Sequence, residues 1–409
     1  MDFVLTRSEN DETLLPQIDS IKTAENFQVL IPFAKAYLGM FYVIDKKLPE
    51  KEKVKLLAND ELAEAIFCGF LSSLNRKELP LIEKIAHAKA EQQEYAEGYI
   101  ILAGLDLVAK KSLADFEELN LDIIEKAIGF HFSNKSGHHN IWFDYLLAKY
   151  ESKIIPAISK YWVAMLKNNA SYLPGRNLVL GEQPNIELIR YCVLPLLDNW
   201  NHCKIKTLAQ LLHLAFKYSN VEEFLVVCEC ALKNDKVLNE KTRLYWIAAA
   251  YLIAPDKYIS MLSAYIGRTK LKAMPLLDFI VLILNDQNKI NIKISTKMLM
   301  QLLRMIAPVF PPQHHVYGAL GALDINSKNI MLIFYILVCS KNSDVVYELK
   351  LLRKARVMKI YSAVIDNLLE LKIRENNEKN YAMPSFEIYI EMLVNNNCLQ
   401  GRSNKFDLR

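Results

Sequence analysis

Glycine and proline are scarce in this chain, with 12 Gly and 14 Pro in 409 residues and no Asn-Gly, Asp-Gly or Gly-Gly pair. Those pairs supply the positive φ of two-residue hairpin turns, so their absence argues against a sheet built from tight β-hairpins. An excess of one charge is also missing: 50 Lys and Arg against 46 Asp and Glu leave a net +4. No global field draws in a polyanion. The apolar run Ile330 to Cys339 is half of the roughly 20 residues that a membrane helix needs. Met1 to Asp19 carries acidic residues and lacks the apolar core of a secretory signal, so a cytoplasmic protein without a membrane segment is expected.

Motifs of catalysis are absent as well. A nucleotide site needs a glycine-rich loop ending in Lys-Ser or Lys-Thr, because backbone N–H groups must close around the phosphates. No glycine here precedes such a pair, and Gly318 and Gly321 read as turn residues. Neither a Gly-x-Ser-x-Gly elbow nor a His-Glu-x-x-His helix occurs. His138 and His139 share a polar linker but lack a third ligand at metal spacing, and His202-Cys203 has no partner motif. The seven cysteines (Cys68, Cys192, Cys203, Cys228, Cys230, Cys339, Cys398) are odd in number and spread through apolar runs, which reads as reduced core thiols. Cys228 and Cys230 stand two apart on a predicted helix, about 200° around its axis, so one faces a core and the other does not. No cofactor, metal or catalytic residue is expected.

Helical periodicity fills the space left by these absences. From Lys204 to Ser219 the residues Ile205, Leu208, Leu211, Leu212, Ala215 and Phe216 form one stripe, and such a stripe must be covered by a neighbour. Asn220 to Leu232 follows at once with its own stripe, capped by Ser219 or Asn220, and reads as the second arm of an αα-hairpin. Further helices are predicted over Glu61–Leu74, Glu94–Lys110, Asp122–Phe132, Ile141–Asn168, Glu187–Trp200, Lys241–Ile253, Lys257–Ile266, Met274–Leu284, Thr296–Ile306, Asn329–Ser340, Asp344–Leu352, Arg356–Asn376 and Ser385–Val394. With less marked segments the total is roughly eighteen helices joined by short loops. Trp142, Trp162, Trp200 and Trp246 sit among apolar neighbours and are expected in cores.

The fold expected is therefore all-α, a degenerate two-helix repeat array of the HEAT or TPR kind, an α-solenoid. Breaks at Ser171–Asn185 and Ala307–Asp324 divide it into an N-terminal helical region 1–170, central hairpins 171–310, a C-terminal region 311–400 and a polar tail 401–409. The densest basic group, Lys350, Arg353, Lys354, Arg356 and Lys359, falls on two successive predicted helices. It reads as a solvated face or a contact for an acidic partner helix. Nucleic acid is the less favoured partner, since no aromatics interleave for base stacking.

Several stretches together resemble the helical region of large bacterial NACHT-type (STAND) signal-transducing NTPases, a class associated with defence: Leu74–Pro80 leading to Leu102–Leu105, Val193–Leu197 followed by Leu208–Ala215, Asn239–Ala250 ending in Ala254–Tyr258, and Tyr381–Ser385 with Leu393–Asn396. The matching residues are packing and turn residues. The resemblance implies a non-enzymatic sensor or scaffold whose partner is a protein, either a NACHT-type NTPase or an invader protein. It implies a stand-alone array, a subunit of a split system or the remnant of a larger gene. The competing expectations are a nucleic-acid-binding helical protein and an enzyme whose site is assembled across distant helices.

Overall fold

The computed structural model describes residues 6–134, 141–200, 203–234, 239–267, 269–312, 325–340, 344–378 and 381–395. Among the described residues there are 22 α-helices and no strand, as the missing hairpin pairs lead one to expect. Contacts group the chain into two compact units, Met1–Trp200 and Asn201–Arg409.

The first unit contains α1 (Arg7–Leu14), α2 (Ile18–Lys22), α3 (Phe27–Tyr37), α4 (Glu50–Lys55), α5 (Asp60–Ser73), α6 (Ile82–Ala90), α7 (Glu97–Lys111), α8 (Leu121–Ser133), α9 (Ile141–Lys149), α10 (Glu151–Lys167), α11 (Asn177–Leu180) and α12 (Ile186–Asn199). Its centre is α7, which packs against α3, α5, α8 and α9. Every residue from Gly98 to Asp106 on it is buried. A helix apolar on all sides is stable only when enclosed. Close approach is permitted by glycine: a Cβ on Gly104 would stand 2.5 Å from the Phe70 carbonyl oxygen of α5.

The second unit contains α13 (Ile205–Tyr218), α14 (Val221–Lys233), α15 (Glu240–Ile253), α16 (Pro255–Ile266), α17 (Lys270–Asn285), α18 (Thr296–Ile306), α19 (Ile325–Cys339), α20 (Val345–Lys354), α21 (Ser362–Asn377) and α22 (Phe386–Asn395). Helices α13, α15, α17 and α19 follow one another as packed neighbours, and α16, α18 and α20 do the same beside them. This stacking in two rows is the local arrangement of a helical array. The enclosed row carries the apolar helices: Leu244 to Leu252 of α15 are all buried, and α19 buries Ile330, Met331, Ile333, Phe334, Leu337 and Val338.

Asparagine sets the starts. The side chains of Asn59, Asn120, Asn185, Asn220 and Asn239 each accept a hydrogen bond from a first-turn backbone N–H, satisfying a donor that the helix itself leaves orphaned. Asn220 alone serves two, from Glu222 and Glu223, at 2.8 and 3.1 Å.

Several expectations need correction. The segment Ile141–Asn168 is two helices, α9 and α10, because Tyr150 leaves the helical region at φ −121° and ψ 35°. The corner lets α9 reach α7 while α10 packs on α6, α8 and α12. Its apolar stripe continues through the corner, so periodicity does not reveal it. Arg356–Asn376 likewise divides into a 3-10 turn, Arg356–Tyr361, and α21. The stripe of α13 is covered by α15 and α17, and α14 touches it through the Phe216 and Phe224 rings, 5.0 Å apart. Ser171–Asn185 is built into the first unit: the Trp162 Nε1–H donates to the Pro174 carbonyl at 2.8 Å, and Gly175, at φ +70°, packs on Phe132 where a Cβ would come within 2.3 Å of the ring.

Candidate interaction surface

All five residues of the basic group are exposed. Lys350, Arg353 and Lys354 lie on α20 at i, i+3 and i+4, which places them on one helical face. Arg353 and Lys354 occupy the last turn, where cations complement the helix dipole. Arg353 Nε donates to Asp366 Oδ1 on α21 at 2.7 Å. That pair is half exposed, so it contributes at most a few tenths of a kcal/mol up to about 1 kcal/mol. Lys350, Lys354, Arg356 and Lys359 make no ion pair among the described residues. Lys350 and Lys354 instead repel each other across one turn.

After Ala355 the chain winds into the 3-10 turn Arg356–Tyr361. Three residues per turn make side chains at i and i+3 eclipse, so the six residues form three ridges. Met358 and Tyr361 point inward and are fully buried. The Tyr361 hydroxyl donates to the Phe310 carbonyl, and its ring lies 5.4 Å from that of Phe334 on α19. With the turn held by that ridge, Arg356 and Lys359 form a basic ridge outside and Val357 and Ile360 an apolar one, 38% and 46% exposed. Tyr347, one turn before Lys350, is 63% exposed. Val357 and Ile360 escape a reading by helical period, because the segment is read as α-helix and the threefold spacing of Arg356/Lys359, Val357/Ile360 and Met358/Tyr361 is its only signal.

Elsewhere, one cluster of polar side chains inside the first unit is satisfied by its own members. The Tyr37 hydroxyl donates to Asp106 Oδ2 at 2.8 Å. Lys110 Nζ bridges Asp106 at 2.8 Å and Glu50 at 2.6 Å. Burial, then the Asp106 charge, pushes the Tyr37 phenol far above its ordinary range. Burial lowers the Lys110 ammonium, but its bonds to Asp106 and Glu50 outweigh that and leave it raised. This network ties α3, α4 and α7 together. A groove of about 450 Å³ between α10 and α12 is lined by Glu151, Ser152, Ile155, Pro156, Glu187, Arg190 and Tyr191, with Glu187 and Arg190 paired to each other.

In the second unit His213 and Lys217 of α13 both face Asp286, each at 3.0 Å, and Lys289 stands 3.8 Å from the same carboxylate. His213 is depressed below its ordinary value, first by burial and then by Lys217, against the pull of Asp286. Lys217 in turn holds Asp286 below the usual carboxylate range. An imidazole with a lowered folded pKa binds fewer protons than the unfolded chain just below pH 6.5, so its contribution is present above that pH and is lost as pH falls through the folded value. Thermal melts between pH 7.5 and pH 5 are expected to lose stability on acidification. His213→Gln should flatten that dependence, and an unchanged slope would show that His213 does not contribute to it.

The four tryptophans are buried. Cys228 is buried and Cys230 exposed, as their spacing requires. Core placement holds for Cys192, Cys203 and Cys228, whereas Cys68 and Cys339 are exposed on their helices. Burial raises the Cys192 thiol to about 12. Among the described residues no group of three or more His, Cys, Asp or Glu could hold a metal ion, and no helix is long and apolar enough to cross a membrane. His138, His139, His202, Cys398, Gly318, Gly321 and the tail 401–409 lie outside the described residues. Compared with protein-family models, curated proteins and solved structures, the chain has no match.

Proposed function

We propose that this chain is a non-enzymatic helical scaffold or sensor that acts by binding other proteins, in a bacterial defence or signalling system built on a NACHT-type NTPase. The observation that supports binding is the α20 face with its 3-10 turn. In the same unit some charges pair between helices, Lys257 with Glu229, Lys297 with Asp256 and Lys272 with Glu240, while exposed Lys206, Lys241 and Arg304 make no ion pair among the described residues. Here four cations have no such partner and stand beside exposed Tyr347, Val357 and Ile360. Folding gains little from that arrangement, and the Lys350/Lys354 repulsion opposes it by a few tenths of a kcal/mol. The NTPase context rests on the sequence resemblance alone. A partner protein is either the NTPase or an invader protein.

Lysine-reactive crosslinking of the chain with a NACHT-type NTPase from the same source tests the reading, because Lys350, Lys354 and Lys359 are exposed reporters of this face. Crosslinks at Lys350 and Lys359 that vanish in the Arg353→Glu, Lys354→Glu, Arg356→Glu variant would support it. The variant itself should stay within about 1 kcal/mol of the parent, since the positions are exposed and only the half-exposed Arg353–Asp366 pair is lost. ATP hydrolysis or nuclease turnover by the isolated chain would overturn the scaffold reading.

A further inference from the structure

We infer that the outer surface of the 3-10 turn Arg356–Tyr361 is a docking site for an acidic amphipathic helix of a partner protein. The inference rests on the protein-binding reading above and adds the chemistry of what is bound. Two features select the occupant. The first is charge: Arg356 and Lys359 are exposed and unpaired among the described residues, and Lys350 and Lys354 extend the same sign along α20. The matching surface is therefore anionic, supplied by Asp or Glu carboxylates that accept hydrogen bonds from the guanidinium and ammonium groups. The second is spacing. Side chains three apart on a 3-10 turn repeat at about 6 Å along its axis, and side chains three or four apart on an α-helix stand about 5–6 Å apart. A helix laid along the turn can thus set one row of carboxylates against Arg356 and Lys359 and a parallel apolar row against Val357 and Ile360.

The turn is also fixed before anything binds. Met358 and Tyr361 are fully buried, and the Tyr361 hydroxyl is tied to the Phe310 carbonyl. The two outer ridges are held by the inner one, so little backbone order is lost on docking. An extended polyanion would use the basic ridge and leave Val357 and Ile360 idle. An anionic bilayer would use both ridges, but it has no need of their regular repeat.

Titration calorimetry of the whole chain, with four probes, tests this. The probes are a synthetic helical peptide with Glu and Leu rows at i, i+3 and i+4, the same peptide with Ser for Leu, vesicles of phosphatidylserine and phosphatidylcholine, and a 20-nucleotide single-stranded DNA. The Glu/Leu peptide is expected to bind, more weakly as salt rises, with a loss of about tenfold or more in Arg356→Glu, Lys359→Glu and a separate loss of similar size in Val357→Ser, Ile360→Ser. The Ser peptide should bind the parent no better than the Glu/Leu peptide binds the Val357→Ser, Ile360→Ser chain. Circular dichroism and melting check that both variants stay folded, as exposed positions allow. Peptide binding unchanged in either variant, or vesicle or DNA binding that follows the same two variants while the peptide fails, overturns the assignment. If the crosslinked partner still maps to this face when the acidic peptide fails, the scaffold reading stands and only the partner's chemistry is wrong.

Discussion

Trp246→Ala is expected to destabilise the second unit by about 3–5 kcal/mol. Trp246 is 1% exposed at the middle of α15, where every side chain from Leu244 to Leu252 is buried. Helices α13, α14, α16 and α17 all pack on α15, and its neighbouring Tyr245 ring is lodged 5.0 Å from that of Phe279. A cavity there can close only if several anchored helices shift together, so little of the lost packing is recovered. Domains of this kind are stable by about 5–15 kcal/mol in total, which makes the expected loss a large fraction. Urea unfolding with hydrogen exchange measures it: protection in α13 to α17 should fall, and Val226→Ala, at a 58% exposed site on α14, should change stability by about 0.5 kcal/mol or less. Equal effects at the two sites would mean that α15 is not the enclosed helix of its unit.

Gly104→Val should cost about 3 kcal/mol or prevent the first unit from folding, through overpacking. The new Cβ would meet the Phe70 carbonyl oxygen at 2.5 Å and a Leu74 methyl at 3.2 Å. A backbone oxygen cannot rotate aside as a side chain can, so α5 and α7 must separate. Gly69 holds the same relation to α2, with a Cβ at 2.4 Å from the Ile21 carbonyl. Gly129→Ala is the control, because its nearest atoms are the side chains of Ile82 and Ile85 at 3.1 Å or more. Those can yield, and the gain in helix propensity of about 1 kcal/mol offsets the strain. A melting temperature lowered equally by Gly104→Val and Gly129→Ala would refute the close crossing of α5 and α7.

Local periodicity and capping determine the helices of this chain, because both are written into neighbouring residues. Thr296–Ile306 begins and ends where its pattern does, and Asn220 and Asn239 cap as their places before apolar stripes require. Corners are less legible: the stripe of α9 and α10 continues through Tyr150, and only their different partners distinguish one long helix from two. The exposure of Lys350, Arg353, Lys354, Arg356 and Lys359 follows from their charge. The apolar half of the same surface does not, since Val357 and Ile360 would be assigned to a core by residue type. Their exposure is decided by tertiary structure, where Met358 and Tyr361 fill the space beside Phe310 and Phe334. One ridge of a threefold turn can face that core at a time. What α13 packs against is decided the same way: a stripe states that it must be covered, but its cover by α15 and α17 depends on residues distant in the chain.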